Sequence, residues 1–332
     1  MRFEHTDEQR DFARTLDQLL ASVDTVAAAR AWAQGDHAPG QAVWRKLADQ
    51  GVNALLIPEE AGGLGASQSE LVIAMEAIGR HGVPGPWVES AAYLPAALAD
   101  APVDTSDLLA ALAEGAIGSV AAPPEVPHAL DADVADLVLL ADAEGLRRAV
   151  AGEELTSIDR TRRLFALVAT DTAPIASHRP SDRAFDVAAL ATAAQLLGAG
   201  EHLLTQSVSY VQQRRQFGRQ IGSYQAIKHH LADLRIALDF ARPLVDGAAL
   251  AADATRARDV SAAKVACADA AYLASRVALQ VHGAIGYTAE LDLSLWLLKV
   301  RALMGAWGTQ AFHRSRVLAA LTSAALTPAE GR

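Results

Sequence analysis

The sequence predicts a mainly α-helical protein interrupted by one small β domain, and three observations carry that prediction. Residues 182–325 keep a helical periodicity through runs long enough for four helices joined by short turns, a four-helix bundle. Residues 113–181 lose that periodicity, gather prolines at Pro123, Pro124, Pro127, Pro174 and Pro180, and carry short β-prone runs. The chain is 51% hydrophobic yet only 5% aromatic, so alanine supplies much of its apolar content and favours long, closely packed helices. The division that follows is a helical domain over 1–112, the β domain over 113–181, the bundle over 182–325 and a tail over 326–332. A chain of 332 residues is long enough for cores of that kind.

The first helix opens at Thr6, with Gln9 three residues on as a capping box, and Phe12, Leu16, Leu19 and Leu20 recur at helical spacing. A second helix is expected over 41–50, with Val43, Leu47 and Ala48 inward and Gly51 at its end. Pro58, Gly62, Gly63 and Gly65 make the next stretch a fixed loop, in which Glu59 and Glu60 read as solvated rather than catalytic. Ser67 and Glu70 cap the helix after it. Strands are expected over 117–120, 137–140 and 164–168. The bundle helices are expected over 182–213, 224–252, 257–281 and 291–321, each about 40 Å long at 1.5 Å per residue.

Charge and cysteine usage bound the function. A formal net charge of −10 argues against a nucleic-acid or anionic-membrane partner, while leaving room for an anionic ligand held by a few local arginines. Cys267, the only cysteine, sits in an apolar run, which excludes an intrachain disulfide and fits a core position in a reducing cytoplasm. The polar start MRFEHTDEQR does not read as a signal peptide, and no membrane span is expected from the runs of apolar residues. His229 and His230 have no second His or Cys cluster to share a metal with.

Two stretches carry candidate chemistry. In the first, Gln280, Gly283, Ala284, Gly286 and Tyr287 form a tight turn, then comes Glu290 and a new apolar run. Glycines there let a ligand approach the main chain, a following helix points free N–H groups at it, and a carboxylate held in a cleft can act as a base. Taken alone, this stretch reads first as a loop between packed helices with an exposed Glu. The second stretch holds Arg214-Arg215-Gln216-Phe217-Gly218, then Gln225-Ala226-Ile227 through Leu231-Ala232-Asp233.

Together, in this order, these stretches closely resemble the carboxy-terminal domain of the acyl-CoA dehydrogenases, with Ala284 in place of a second glycine. The loop of Pro58, Glu59, Glu60, Gly62, Gly63 and Gly65 resembles that family's amino-terminal helical domain. The resemblance implies FAD as cofactor and removal of two hydrogens from an acyl-CoA thioester to give a trans-2-enoyl-CoA. It assigns Glu290 as the catalytic base. It assigns Arg214 to the FAD pyrophosphate, Phe217 to the adenine side, Gln225 and Gln280 to hydrogen bonds with the adenosine portion, and Gly283 to backbone contact. Gln216 and Ala284 fall inside the same motifs, and Gly308-Thr309 resembles the Gly-Thr of the family's last flavin contact, with Trp307 where an acidic residue is usual.

The chain also departs from the family. Between residues 112 and 135 it lacks the Thr-Glu-Pro and Trp-Ile-Thr segments that line the isoalloxazine, so the β domain is shortened. That departure resembles one subunit of the bacterial α2β2 acyl-CoA dehydrogenases, several of which act on steroid side-chain CoA esters. The expectation is therefore a Glu-bearing subunit working with a second dehydrogenase-like chain, or a homo-oligomer, with electron-transfer flavoprotein as acceptor. Two alternatives stand beside it: a non-catalytic partner that completes the FAD site of another chain, and an acyl-CoA oxidase-type flavoenzyme.

Overall fold

A computed structural model describes residues 3–170, 173–288 and 291–326. The amino-terminal part is helical: α1 (Asp7–Ala21), α2 (Thr25–Trp32), α3 (Ala38–Ala48), α4 (Gln68–His81), a π-helical turn (Glu89–Tyr93), α5 (Leu94–Ala99) and α6 (Ser106–Ala113). Both capping boxes form. The Thr6 side chain accepts from the Gln9 amide, and the Glu70 carboxylate reaches back to the Ser67 amide at 3.0 Å. Gln9 Nε2 then donates to Glu70 at 2.8 Å, which ties the start of α1 to the start of α4. Helix α2 was not foreseen: its eight residues are too few to show a period, and Asp24 starts it by accepting from the Ala27 amide at 2.8 Å.

The β domain is a five-stranded sheet in the order β1-β3-β4-β5-β2, with β1 (Gly118–Ala121), β2 (Ala129–Leu130), β3 (Leu137–Asp142), β4 (Gly145–Leu155) and β5 (Leu164–Ala169). Strands β1 and β3 pair in parallel; the remaining pairs are antiparallel. Sequence reasoning missed β4 because Arg147, Arg148, Glu153 and Glu154 obscure its alternation, which is also broken by a register shift between Ala151 and Glu154.

The carboxy-terminal part comprises α7 (Asp182–Gln213), a small hairpin of β6 (Arg215–Gln216) and β7 (Arg219–Gln220), α8 (Gln225–Ala249), α9 (Asp253–His282), α10 (Leu293–Gly305) and α11 (Gln310–Leu326). The expected single helix over 291–321 is thus two. Trp307 at φ 54° and Gly308 at φ 96° adopt left-handed backbone, which no α-helix continues through. Burial of the Trp307 ring, 1% exposed, outweighs the local helical preference.

Helix α7 is the core helix, with most of its side chains buried. It is also long and apolar enough to cross a membrane by length and composition, but 89% of that apolar window is buried inside the molecule. Helix α4 packs against it backbone to backbone: a Cβ on Gly198 would sit 2.0 Å from the Glu76 carbonyl oxygen, and one on Gly79 would sit 2.1 Å from that of Gln195. Polar groups cross the same seam. Arg242 Nη1 donates to Glu76 at 2.7 Å and its Nη2 to Glu201 at 3.2 Å, while Arg235 binds Glu201 at 2.7 Å. Cys267 is fully buried in α9.

Candidate functional site

Two segments far apart in sequence meet in one cleft of about 760 Å³. One is the end of α7 with the β6–β7 hairpin and the start of α8; the other is the end of α9 with the turn after it. Arg214, Gln216, Phe217, Gln280, Gly283 and Ala284 all line it. The geometry has local causes. The Arg214 amide still bonds to the Tyr210 carbonyl at 2.9 Å, but its backbone turns extended, so α7 ends there and the hairpin begins. The hairpin turns at Phe217 (φ 49°) and Gly218 (φ 79°), which leaves the Phe217 ring 89% exposed. Gly283 ends α9 at φ 64°, where an L side chain is strained, and nothing lies within 4 Å of the position a Cβ would take.

The chemistry of the walls suits a large anionic ligand with aromatic and amide-binding parts. Arg214 is exposed and has no salt bridge among the described residues, so its guanidinium can take a phosphate. Gln216 and Gln280 offer amides that both donate and accept. Sequence reasoning missed an aromatic pair: Tyr210 stacks on His282 with ring centroids 4.2 Å apart, and both line the cleft. His282 Nδ1 bonds to the Ala278 carbonyl at 2.7 Å, and burial holds its pKa below the ordinary value. Tyr224 also lines the cleft, with the Arg219 guanidinium 3.9 Å over its ring. No spacing signal marked these aromatics, because they face the cleft from separate elements.

The remaining expected residues fall elsewhere. Gln225 opens α8 beside Tyr224 and Ala226, which line the cleft, but it does not line it itself. Thr309 is also outside the cleft: its Oγ1 accepts from the Phe312 amide at 3.2 Å at the start of α11. Glu290 lies outside the described residues. The turn before Thr309 is firmly held. Trp307 Nε1 donates to the buried Glu89 at 3.1 Å, the Trp307 carbonyl bonds to His313 Nε2 at 2.9 Å, and Tyr93 packs on the indole at 4.7 Å.

Comparison with known proteins matches residues 6–100 to the acyl-CoA dehydrogenase amino-terminal domain and residues 181–322 to the acyl-CoA dehydrogenase carboxy-terminal domain. The acyl-CoA dehydrogenase IpdE2 of Mycobacterium tuberculosis is 35% identical over 294 residues, covering 87% of this chain and 90% of that protein. Among solved structures, the ChsE4-ChsE5 complex from Mycobacterium tuberculosis aligns with a TM-score of 0.82 at 23% identity, over 99% of this chain and 100% of that one. Butyryl-CoA dehydrogenase from Megasphaera elsdenii aligns with a TM-score of 0.82 at 20% identity, over 97% of this chain and 100% of that one.

Proposed function

Because this chain belongs to the acyl-CoA dehydrogenase family, whose members are FAD-dependent oxidoreductases, we propose that it takes part in α,β-dehydrogenation of an acyl-CoA thioester, with its Arg214 cleft holding the phosphate and adenosine side of FAD. The observation that carries this reading is the convergence of Arg214, Gln216, Phe217, Gln280, Gly283 and Ala284 on one cleft. Arg214 would bind the pyrophosphate, the two glutamines the adenosine, and Gly283 would let the main chain approach. When bound, FAD supplies the acceptor for the hydride leaving the β carbon of the thioester. Glu290, which follows in sequence the turn that Gly283 opens, would accept the α proton.

The cleft is open, and its Phe217 ring is offered outward. Ile236, Phe240 and Leu244 add an exposed apolar stripe on α8. Both features support an assembly in which this cleft serves a flavin shared with another chain, the second dehydrogenase-like subunit of an α2β2 enzyme, and electron-transfer flavoprotein would take the electrons onward. The relatives include a two-chain steroid acyl-CoA dehydrogenase, which supports a bulky CoA ester as substrate class.

A second reading, a non-catalytic partner that completes the FAD site of another chain, is favoured by Trp307. That ring, buried and bonded to Glu89, fills the turn where the family pattern usually has an acidic residue. The discriminating experiment is anaerobic bleaching of the flavin by an acyl-CoA, with the partner chain present, in the parent and in Glu290→Gln. Loss of a general base costs about 10²–10⁴ in rate, so the variant should keep its FAD and nearly stop bleaching. Bleaching at close to the parent rate would move the base to the partner.

A further inference from the structure

A cluster of polar and aromatic groups joins the turn between α2 and α3 to the edge of the sheet. Trp32 ends α2 and is 1% exposed; its Nε1 donates to Asp131 Oδ1 at 3.0 Å. His37, at the start of α3, sets its ring edge-on to the Trp32 indole with centroids 4.7 Å apart. From the sheet side, the Arg163 amide donates to the same Asp131 oxygen at 3.2 Å, and Arg163 Nη1 lies 2.9 Å from His37 Nε2. Arg163 is held there independently: its Nε donates to Glu154 at 3.1 Å, it pairs with Asp133, and its guanidinium lies 5.2 Å over the Phe165 ring. The sheet is thinly supported at this edge, since β2 has two residues and the small core beside it consists of Ala121, Ala129, Ala132 and Phe165.

A guanidinium only donates hydrogen bonds, so His37 Nε2 has to accept, which requires a neutral imidazole with its proton on Nδ1. Protonating Nε2 removes that acceptor and sets one cation against another. Burial holds the His37 pKa below 6.5 and Arg163 adds to this, while Asp133, Asp36 and Glu154 oppose it. Asp131 carries no anion to a protonated His37: burial pushes its pKa up to about 7, against the pull of Arg162, so it is already neutral in acid. An imidazole released to solvent takes up its proton near 6.5. Below that pH the open form therefore binds more protons than the closed one, and it gains as pH falls. Arg163 stays where Asp133 and Glu154 hold it, so the α2–α3 turn is the side that leaves.

We propose that His37 and Arg163 form an acid-released latch, closed while His37 is neutral and opened by its protonation, which frees the α2–α3 turn from the edge of the sheet. The latch involves neither flavin nor thioester, so it stands or falls apart from the function proposed above. The reporter is the Trp32 indole N–H, which the bond to Asp131 protects from hydrogen exchange. Its exchange in the full chain is followed by NMR, assigned with Trp32→Phe and scored against free indole at each pH. His37→Gln keeps an acceptor that does not titrate and leaves Asp131 in place; His37→Lys carries its charge throughout. Losing one charge-assisted hydrogen bond should lower the parent's protection by about tenfold or more between about pH 7 and pH 5. His37→Gln should lack that fall, and His37→Lys should already be poorly protected at neutral pH. Melting temperatures report whether both variants are folded; if the lysine variant is not, the parent and His37→Gln still decide. No fall in the parent, an equal fall in His37→Gln, or a folded His37→Lys as well protected as the parent would each overturn the latch.

Discussion

His202 lies flat on Trp296, with ring centroids 3.7 Å apart and planes 6° from parallel. Burial, reinforced by the nearby positive groups His81 and Arg80, pushes its pKa down from 6.5 to about 4. In the unfolded chain the same imidazole takes up its proton near 6.5. Between those values the unfolded state binds more protons than the folded one, so stability rises with pH across the window. The contribution is fully present above pH 6.5 and is lost as pH falls toward 4. His202→Phe keeps a ring on Trp296 but cannot be protonated. Its urea-unfolding free energy should therefore fall less steeply between pH 6.5 and 4, by up to about 1.4 kcal/mol per pH unit. An unchanged acid slope would show that His202 is protonated without cost in the folded state. Single residues also show the limit of reading a site from sequence. Arg214, Phe217 and Gly283 were legible because a motif surrounds them, whereas Glu89 sits in an ordinary apolar helical run, and only the fold gives it a cavity and a Trp307 partner.

At the scale of elements, the seam between α4 and α7 depends on glycine. Gly198 leaves room for the Glu76 carbonyl, and an added methyl would stand 2.0 Å from it. Neither backbone can move without disturbing the Glu76–Arg242 ion pair at 2.7 Å. Gly198→Ala should thus destabilise by about 1–3 kcal/mol or more, even though alanine is the better helix former in isolation. Thermal unfolding checks this; a variant as stable as the parent would show that the seam can open. The elements differ in how legible they were. Helix α7 was bounded correctly because a long apolar period ends at a polar Gln-Gln-Arg run. Strand β4 was hidden by charges on its exposed positions, and the break between α10 and α11 by the demand of the core for Trp307, which no local pattern encodes.

At the scale of the whole molecule, the helices share one core beside a small sheet, and two of the recesses among the described residues differ in chemistry. One is open, flanked by arginine, amides and aromatics, and borders an exposed Phe217; the other is small, apolar and fitted with a buried carboxyl. The net charge of −10 left room for the first kind of site without pointing to it; Arg214, Arg215 and Arg219, clustered at one helix end, set a local positive field against the overall negative one. The arginine-flanked cleft is proposed to hold the phosphate side of FAD. Its most direct test is FAD retention on dilution, measured by flavin fluorescence for the parent and Arg214→Ala, each with its partner chain, alongside melting temperature. One charge-assisted phosphate contact is worth roughly 1.5–3 kcal/mol, so the variant should lose FAD at about 10- to 150-fold lower dilution with its fold intact. Equal retention by parent and variant would contradict the claim.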